Sequence, residues 1–357
     1  MAELTGPRKG CAAVSNPDSR FSRLQRETLD DGWGNLEEGP QGRKTFIAEE
    51  TAKTIISRND SPDIPFEQSI NAYRGCEHGC IYCYARPTHA YHNLSPGLDF
   101  ETRLFAKHNA VELLRKELAR RGYRPSVIAL GANTDPYQPI ERQRRLTRGI
   151  LEVLAECGHP VNITTKSALI ERDLDLLAPM AEEGLARVWI SITTLDGTLA
   201  SRLEPRAASP ARRLQAVRAL SDAGIPVGVM VAPVIPVLTD AELEKIVAAA
   251  VEHGACAANF LVLRLPREVG ELFAEWLERF VPLQAAHVLS RVRELRGGEL
   301  NDSRFAYRLA GQGIFADLLQ QRFNLALKRH GLAIDLPPVE ATRFRPPKGD
   351  ERQLSLF

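Results

Sequence analysis

No run of 18 apolar residues occurs in the 357-residue chain, so no helix is expected to span a membrane. The leading stretch MAELTGPRKGCAAVSNPDSRF lacks the apolar core of a signal peptide, which places the protein in the cytoplasm. Net charge is nearly absent as well: 46 Lys and Arg balance 45 Asp and Glu. That balance does not announce a nucleic-acid binder, although local patches survive a neutral sum. No G-x-G-x-x-G follows the first expected strand, which argues against a dinucleotide fold. No tandem repeat is evident. Cysteine is scarce, with six in the chain, and a reducing compartment does not favour a disulfide framework. Cys11, Cys157 and Cys256 are scattered and read as small or buried thiols. The other three crowd into eight residues.

What is present is an alternating pattern. Residues 1–45 carry Gly, Pro, Asn and Asp without a period and read as a disordered lead. From 46 to 280 apolar, β-branched runs alternate with helical stretches. The expected strands are Glu67–Tyr73, Val127–Leu130, Val161–Thr165, Val188–Thr193, Val227–Val231 and Phe260–Leu263. Leu243, Ile246, Val247, Ala250 and Val251 share one face of a helix over Asp240–His253, with Thr239 or Asp240 to cap it and Gly254 to end it. Leu214, Val217 and Leu220 mark another, stopped at Gly224. This α/β order implies parallel βαβ units. About 200 residues suit about six units where a closed barrel needs about 250, so the expected fold is a partial (βα)6 TIM-like barrel. Its functional residues should gather at the C-terminal strand ends. Residues 281–335 read as a helical extension, with helices over Leu283–Leu295 and Phe305–Leu332. Residues 336–357 read as a flexible tail.

The chemistry sits in Tyr73-Arg-Gly-Cys76-Glu-His-Gly-Cys80-Ile-Tyr-Cys83-Tyr84, just after the first strand. Thiolates at i, i+4 and i+7 of a loop can converge on one soft metal centre, and Gly75 and Gly79 let the backbone wrap it. Three local cysteines on a four-iron cluster leave one iron open to a substrate or cofactor. Zinc, with His78 as fourth ligand, is the competing reading, but structural zinc sites usually come as two spaced ligand pairs. Polar residues at later strand ends are the binding candidates: Asn133 and Thr134, Lys166, Ser191, then Glu204 and Arg206. A lysine just past an apolar strand can meet a carboxylate, whereas the hydroxyls can simply bond neighbouring backbone.

C-x3-C-x2-C after strand one, with Tyr82 before the last cysteine, resembles the signature of the radical S-adenosylmethionine (SAM) superfamily over about Phe66 to Pro266. The resemblance implies a [4Fe–4S] cluster on Cys76, Cys80 and Cys83, with SAM chelating the open iron. It also implies reductive cleavage of SAM to a 5′-deoxyadenosyl radical, fed by an external one-electron donor such as flavodoxin or ferredoxin. Within the superfamily, Tyr82, Tyr84, Asn133-Thr134-Asp135 and Lys166 resemble the spore-photoproduct-lyase-like, DNA repair photolyase-related branch. There two tyrosines bracketing the third cysteine help return hydrogen to the product, which marks Tyr82 and Tyr84 as catalytic. One departure matters: Ala132 stands where that branch carries its cysteine hydrogen donor. The resemblance therefore carries the SAM chemistry and leaves the substrate open between DNA, RNA, a peptide and a small metabolite. A non-catalytic iron–sulfur or zinc module is the reading of a different class.

The last five residues, Gln353-Leu354-Ser355-Leu356-Phe357, resemble the short Q-L-[S/D]-L-F peptide by which bacterial replication and repair proteins dock on the DNA sliding clamp. Leu354, Leu356 and Phe357 end a charged, Pro-rich stretch far from any expected core. Exposed apolar residues of that kind await a partner, and clamp binding would tip the substrate toward DNA.

Overall fold

The computed structural model describes residues 10–22 and 45–347. Among these residues are ten strands: β1 Phe46–Glu50, β2 Ile56–Arg58, β3 Gln68–Ile70, β4 Tyr73–Arg74, β5 Arg103–Lys107, β6 Ile128–Leu130, β7 Val161–Thr165, β8 Ala186–Ser191, β9 Val227–Val234 and β10 Ala257–Val262. Seven form one sheet in the order β10-β9-β8-β7-β6-β3-β2. Every pairing from β3 to β10 is parallel, and only β2 joins antiparallel at the edge. Six parallel strands in sequence order, with helices between them and no pairing of β10 to the far edge, make the open, partial TIM-like barrel that the sequence implies. All six residues of β8 are buried, because a parallel strand is covered on both faces.

The expected first strand divides. Glu67–Tyr73 becomes β3 and β4, and β4 pairs antiparallel with β5 in a separate sheet of order β1-β5-β4. The break falls at Asn71, whose Oδ1 accepts from the backbone N–H of Asn133 at 3.1 Å and of Thr134 at 3.4 Å. The side chain thus binds the turn after β6, and the cluster loop starts beneath it.

The expected helix over Asp240–His253 is a 3-10 turn, Asp240–Glu242, leading into Leu243–Glu252, and Gly254 ends it at φ +89°. Thr239 does not cap it. Its hydroxyl instead accepts from Ile235 N–H at 2.8 Å. The Leu214 helix, Pro210–Asp222, is capped by Ser209, which accepts from Arg212 N–H. The stretch read as one helix over Phe305–Leu332 is two: Tyr307–Ala310 and Ile314–His330. Gly311 and Gly313, at φ +82° and +86°, break it. The helical extension shares the barrel's core. Phe323 meets Phe260 of β10 at 4.8 Å between ring centroids, and Ala285, Val288 and Val292 lie in one apolar cluster with Cys80, Ile81 and Tyr82.

Two expected coils are docked segments. Residues 10–22 are not a disordered lead: Ala12, Ala13 and Val14 are buried, and the Ala12 and Ala13 N–H groups donate to the Glu101 carboxylate at 3.1 and 2.9 Å. Small side chains allow that approach. Residues 336–347 likewise depart from the expected flexible tail. Leu336 is buried, Arg345 N–H donates to Cys157 O at 2.8 Å, and Phe344 packs on Tyr123 and His159. Residues 1–9, 23–44 and 348–357, including Gln353, Leu354, Leu356 and Phe357, lie outside the described residues.

Candidate active site

The C-terminal ends of β3 and β6–β10 all open on one end of the barrel, since the strands are parallel. The cysteine loop leaves β4 there and is fixed chiefly through its backbone. Gly75 adopts φ +73°, and a Cβ on it would lie 2.6 Å from Leu104 Cδ2 and 2.9 Å from Phe100 O. Gly79 adopts φ +65° and has the Glu101 carboxylate 2.7 Å from where a Cβ would stand. Only glycine satisfies both the left-handed backbone and the close approach. Cys76 N–H donates to Phe100 O at 3.0 Å and Ile81 N–H to Leu203 O at 3.0 Å. Gln138, fully buried, accepts from Glu77 N–H at 2.8 Å and donates to Gly75 O at 3.3 Å.

Beneath the loop lies Arg86, with no solvent exposure. Its guanidinium donates to Cys80 O (2.8 Å), Gly79 O (2.8 Å), Pro96 O (3.0 Å) and Gly97 O (2.9 Å), and pairs with Glu101 at 2.6 Å. A planar guanidinium with five fixed donors suits this task. The Glu101 carboxylate then anchors residues 12 and 13, so the amino-terminal segment and the cysteine loop share one buried ion pair.

Burial raises the thiol pKa of Cys76, Cys80 and Cys83, and for Cys80 the Glu204 carboxylate adds to it. The three thiols sit on this one loop at positions i, i+4 and i+7. The donor set is three soft sulfurs held by a rigid backbone, and it fits three corners of a four-iron cluster. It fits a single zinc ion poorly. Among the described residues no three His, Cys, Asp or Glu side chains converge on one ion. His78, the expected fourth ligand, instead has Nδ1 3.3 Å from Asp135 Oδ2.

Asp135 ties that loop to the next strand ends. Its carboxylate accepts from Thr165 Oγ1 at 2.7 Å and from Lys166 N–H at 2.8 Å. The Lys166 side chain turns into the barrel mouth: Nζ donates to Ala232 O at 3.0 Å, lies 3.4 Å from Glu204 and sits 5.7 Å from the centre of the Tyr82 ring. Ser191 ends β8, and its carbonyl accepts from Arg213 at 3.0 Å.

Two expected SAM contacts are turned to other work. Glu204, buried at 3% exposure, bonds Tyr82 Oη, Thr193 and Arg213, with Lys166 nearby. The two cations hold its pKa below the usual carboxylate range against the opposing effect of burial. Its carboxylate is thus bonded within the protein, between Tyr82, Thr193 and the two cations. Thr134 is also buried, and its hydroxyl donates to Tyr73 O at 3.2 Å. Asn133 stays half-buried on the same turn.

The two bracketing tyrosines part company. Tyr82 is buried with its hydroxyl bound to Glu204 and beside Thr193. Tyr84 stands at the mouth at 44% exposure, its hydroxyl donates to Ala132 O, and the Arg264 guanidinium lies 4.8 Å from its ring centre. Arg86, Glu101, Gln138 and Asn71 were not found from the sequence; their partners are fixed only once the chain folds.

Three cysteines on one loop at the mouth of an open parallel barrel mark an α/β fold with a candidate soft-metal centre. Residues 70–250 match the family model of the radical SAM superfamily, and the chain belongs to that superfamily. Membership implies SAM and a [4Fe–4S] cluster. Among relatives, an uncharacterized protein of Mycobacterium tuberculosis is 36% identical over 296 residues, covering 79% of this chain and 83% of its own. An uncharacterized protein of Methanocaldococcus jannaschii is 32% identical over 174 residues, covering 48% of this chain and 62% of its own. Among solved structures, spore photoproduct lyase complexed with dinucleoside spore photoproduct superposes with TM-score 0.56 at 17% identity, covering 81% of each chain. A mutant of that lyase with bound AdoMet and dinucleoside spore photoproduct gives the same TM-score of 0.56 at 17% identity. These structures share the fold. No helix among the described residues is long and apolar enough to cross a membrane.

Proposed function

We propose that this chain binds a [4Fe–4S] cluster through Cys76, Cys80 and Cys83, cleaves SAM reductively beside it, and acts on DNA or another nucleic acid. The observation that carries the reading is the three-thiol loop, held by Arg86 and Gln138 at the open end of the barrel. When bound, the cluster and SAM supply a one-electron cleavage of the sulfonium and a 5′-deoxyadenosyl radical, with the electron drawn from a carrier such as flavodoxin or ferredoxin. The chain's own residues hold and shield. Lys166 offers a cation to the SAM carboxylate, Ser191 and Asn133 offer polar groups to the rest of SAM, and Tyr84 faces the substrate.

Support for a nucleic-acid substrate comes from the fold shared with an enzyme solved with a dinucleoside photoproduct and from the clamp-like Gln353–Phe357 sequence. Ala132 offers no thiol where that branch's donor stands, so the SAM chemistry is carried over and the lyase's own reaction is not. Anaerobic reconstitution with dithionite and SAM tests the reading. The chain should form 5′-deoxyadenosine, and DNA or RNA carrying the right lesion or base should accelerate it. Acceleration by peptides or small metabolites alone would redirect the substrate.

Lys166→Ala is expected to weaken SAM binding by about ten- to a hundredfold, the worth of a charge-assisted hydrogen bond, with iron content retained. Calorimetric titration of reconstituted protein measures it. Unchanged affinity would remove Lys166 from the SAM site.

For the tail, docking on a bacterial sliding clamp through Gln353, Leu354, Leu356 and Phe357 is the proposal, with the modest affinity of a five-residue anchor. Truncation after Glu351 should abolish binding to purified clamp. Equal binding by both forms, or by neither, would remove this argument for DNA.

A further inference from the structure

The open barrel leaves a gap between its two sheet edges, β10 and β2, and one segment of the helical extension crosses it. Residues 301–311 are latched to the first edge by Arg296. Its buried guanidinium donates to Val262 O at 2.7 Å, to Leu263 O at 2.8 Å and to Tyr307 O at 2.6 Å. They are latched toward the second by Arg308, whose Nε donates to Asp63 at 2.7 Å on the loop after β2. Ala306 adopts φ +67° between two aromatics, a conformation that a non-glycine residue holds only when its surroundings impose it.

Three arginine–aromatic stacks meet along this lip. Arg264 lies 4.8 Å from the Tyr84 ring centre, Arg308 5.1 Å from that of Phe305, and Arg304 4.8 Å from that of Tyr307. Phe305 is 54% exposed, and Tyr307 and Tyr84 are each 44% exposed. Arg304 and Arg308 are neutralised by Asp302 and Asp63. Arg264, just past the end of β10, has the Tyr84 ring as its side-chain partner among the described residues. Asp63, Arg308, Tyr84 and Cys83 are all close enough to act on its charge. A half-buried guanidinium that pairs directly with no carboxylate, laid over the Tyr84 ring beside Cys83, is prepared for an anion from outside.

The geometry points to residues 301–311 and Arg264 as the entry site for an unpaired nucleic-acid strand, with a backbone phosphate on Arg264 and bases stacked on Phe305 and Tyr307. The chemistry matches how single strands are held: a cation for the phosphate and exposed rings for the bases. A flanking phosphate on Arg264 would bring the next nucleotide over Tyr84 and toward the cluster loop. This inference rests on the nucleic-acid reading above and names which surface carries it.

The test is fluorescence anisotropy with a labelled single-stranded DNA of about 12 nucleotides, a length within known site sizes, titrated into the reconstituted holoenzyme at several salt concentrations. Arg264→Gln should weaken binding about tenfold and reduce the salt slope by about one counterion. Phe305→Ala should weaken it by a similar factor with little change in slope. Leu283→Ala, at a fully exposed position on the helix Pro282–Leu295, should bind like the wild type. Iron content and melting temperature report whether each variant is folded, and the exposed Phe305 serves should Arg264→Gln fail to fold. If wild type binds and both variants bind equally well, the lip is wrong while the nucleic-acid reading stands. If wild type binds no single strand even at low salt, the lip is wrong, and the nucleic-acid reading is decided separately by whether DNA or RNA accelerates 5′-deoxyadenosine formation. If a polyglutamate of similar length competes as well as DNA, the lip is a general polyanion surface and the inference is overturned.

Discussion

Replacing Cys76, Cys80 or Cys83 with alanine should drop the iron content of anaerobically reconstituted protein from about four per chain, the complement of a cuboidal cluster, to near zero. 5′-Deoxyadenosine formation should vanish with it, because two thiolates cannot hold a cluster that three barely complete. Each residue should be equally indispensable, since each would bind a different iron. Cys157→Ala and Cys256→Ala should keep full iron, since Cys157 lies in the main core and Cys256 is exposed on the chain leading into β10. His78→Ala separates the metals. On the cluster reading it loosens Asp135, its 3.3 Å partner, and the iron stays. On the zinc reading it removes a ligand. Stoichiometric zinc without iron after anaerobic reconstitution, or one cysteine that can be replaced without loss of iron, would sink the assignment.

The barrel and the cysteine loop were legible because their signals are local. A run such as Val188-Trp-Ile-Ser191 announces a strand buried on both faces, and C-x3-C-x2-C names its own chemistry. Gly75 and Gly79 were legible for the same reason, since the turn they serve lies beside them in sequence. The second sheet was not legible. β1 and β5 are short and partly polar, Phe46–Glu50 and Arg103–Lys107, and they find each other across more than fifty residues. The docking of residues 10–22 was hidden by composition: Gly, Pro, Asn and small residues read as coil, yet small side chains are what let Ala12 and Ala13 reach a buried carboxylate. The partners of Glu204 were hidden for a related reason. A charged loop after a strand suggests an exposed ligand, and only the folded chain reveals that Arg213 and Lys166 draw it inward behind Tyr82.

Glu101→Ala should cost the protein about 3–5 kcal/mol, the usual penalty for stripping one partner from a buried ion pair. Arg86 and Glu101 have no side-chain exposure, so the stranded guanidinium cannot recover its charge compensation from water. The same carboxylate also takes the N–H groups of Ala12 and Ala13, and their loss frees the amino-terminal segment. Equilibrium unfolding in urea should show the loss, and limited proteolysis should show new cleavage before Asn16. Glu101→Gln keeps an acceptor but not the charge, and should fall between. Many buried ion pairs can be exchanged for an apolar pair at little cost, but this one should resist. In Arg86→Met/Glu101→Leu the carbonyls of Gly79, Pro96 and Gly97 would lose Arg86 as a donor, while Cys80 O would keep only the Cys83 N–H at 3.2 Å. Each such orphan costs about 1–3 kcal/mol. Gly79 O belongs to the cysteine loop itself and Cys80 O loses one of its two donors, so the double variant should lose iron as well as stability. Wild-type stability and iron content in the double variant would mean that the loop holds its shape without Arg86, and the support role assigned to this pair would be wrong.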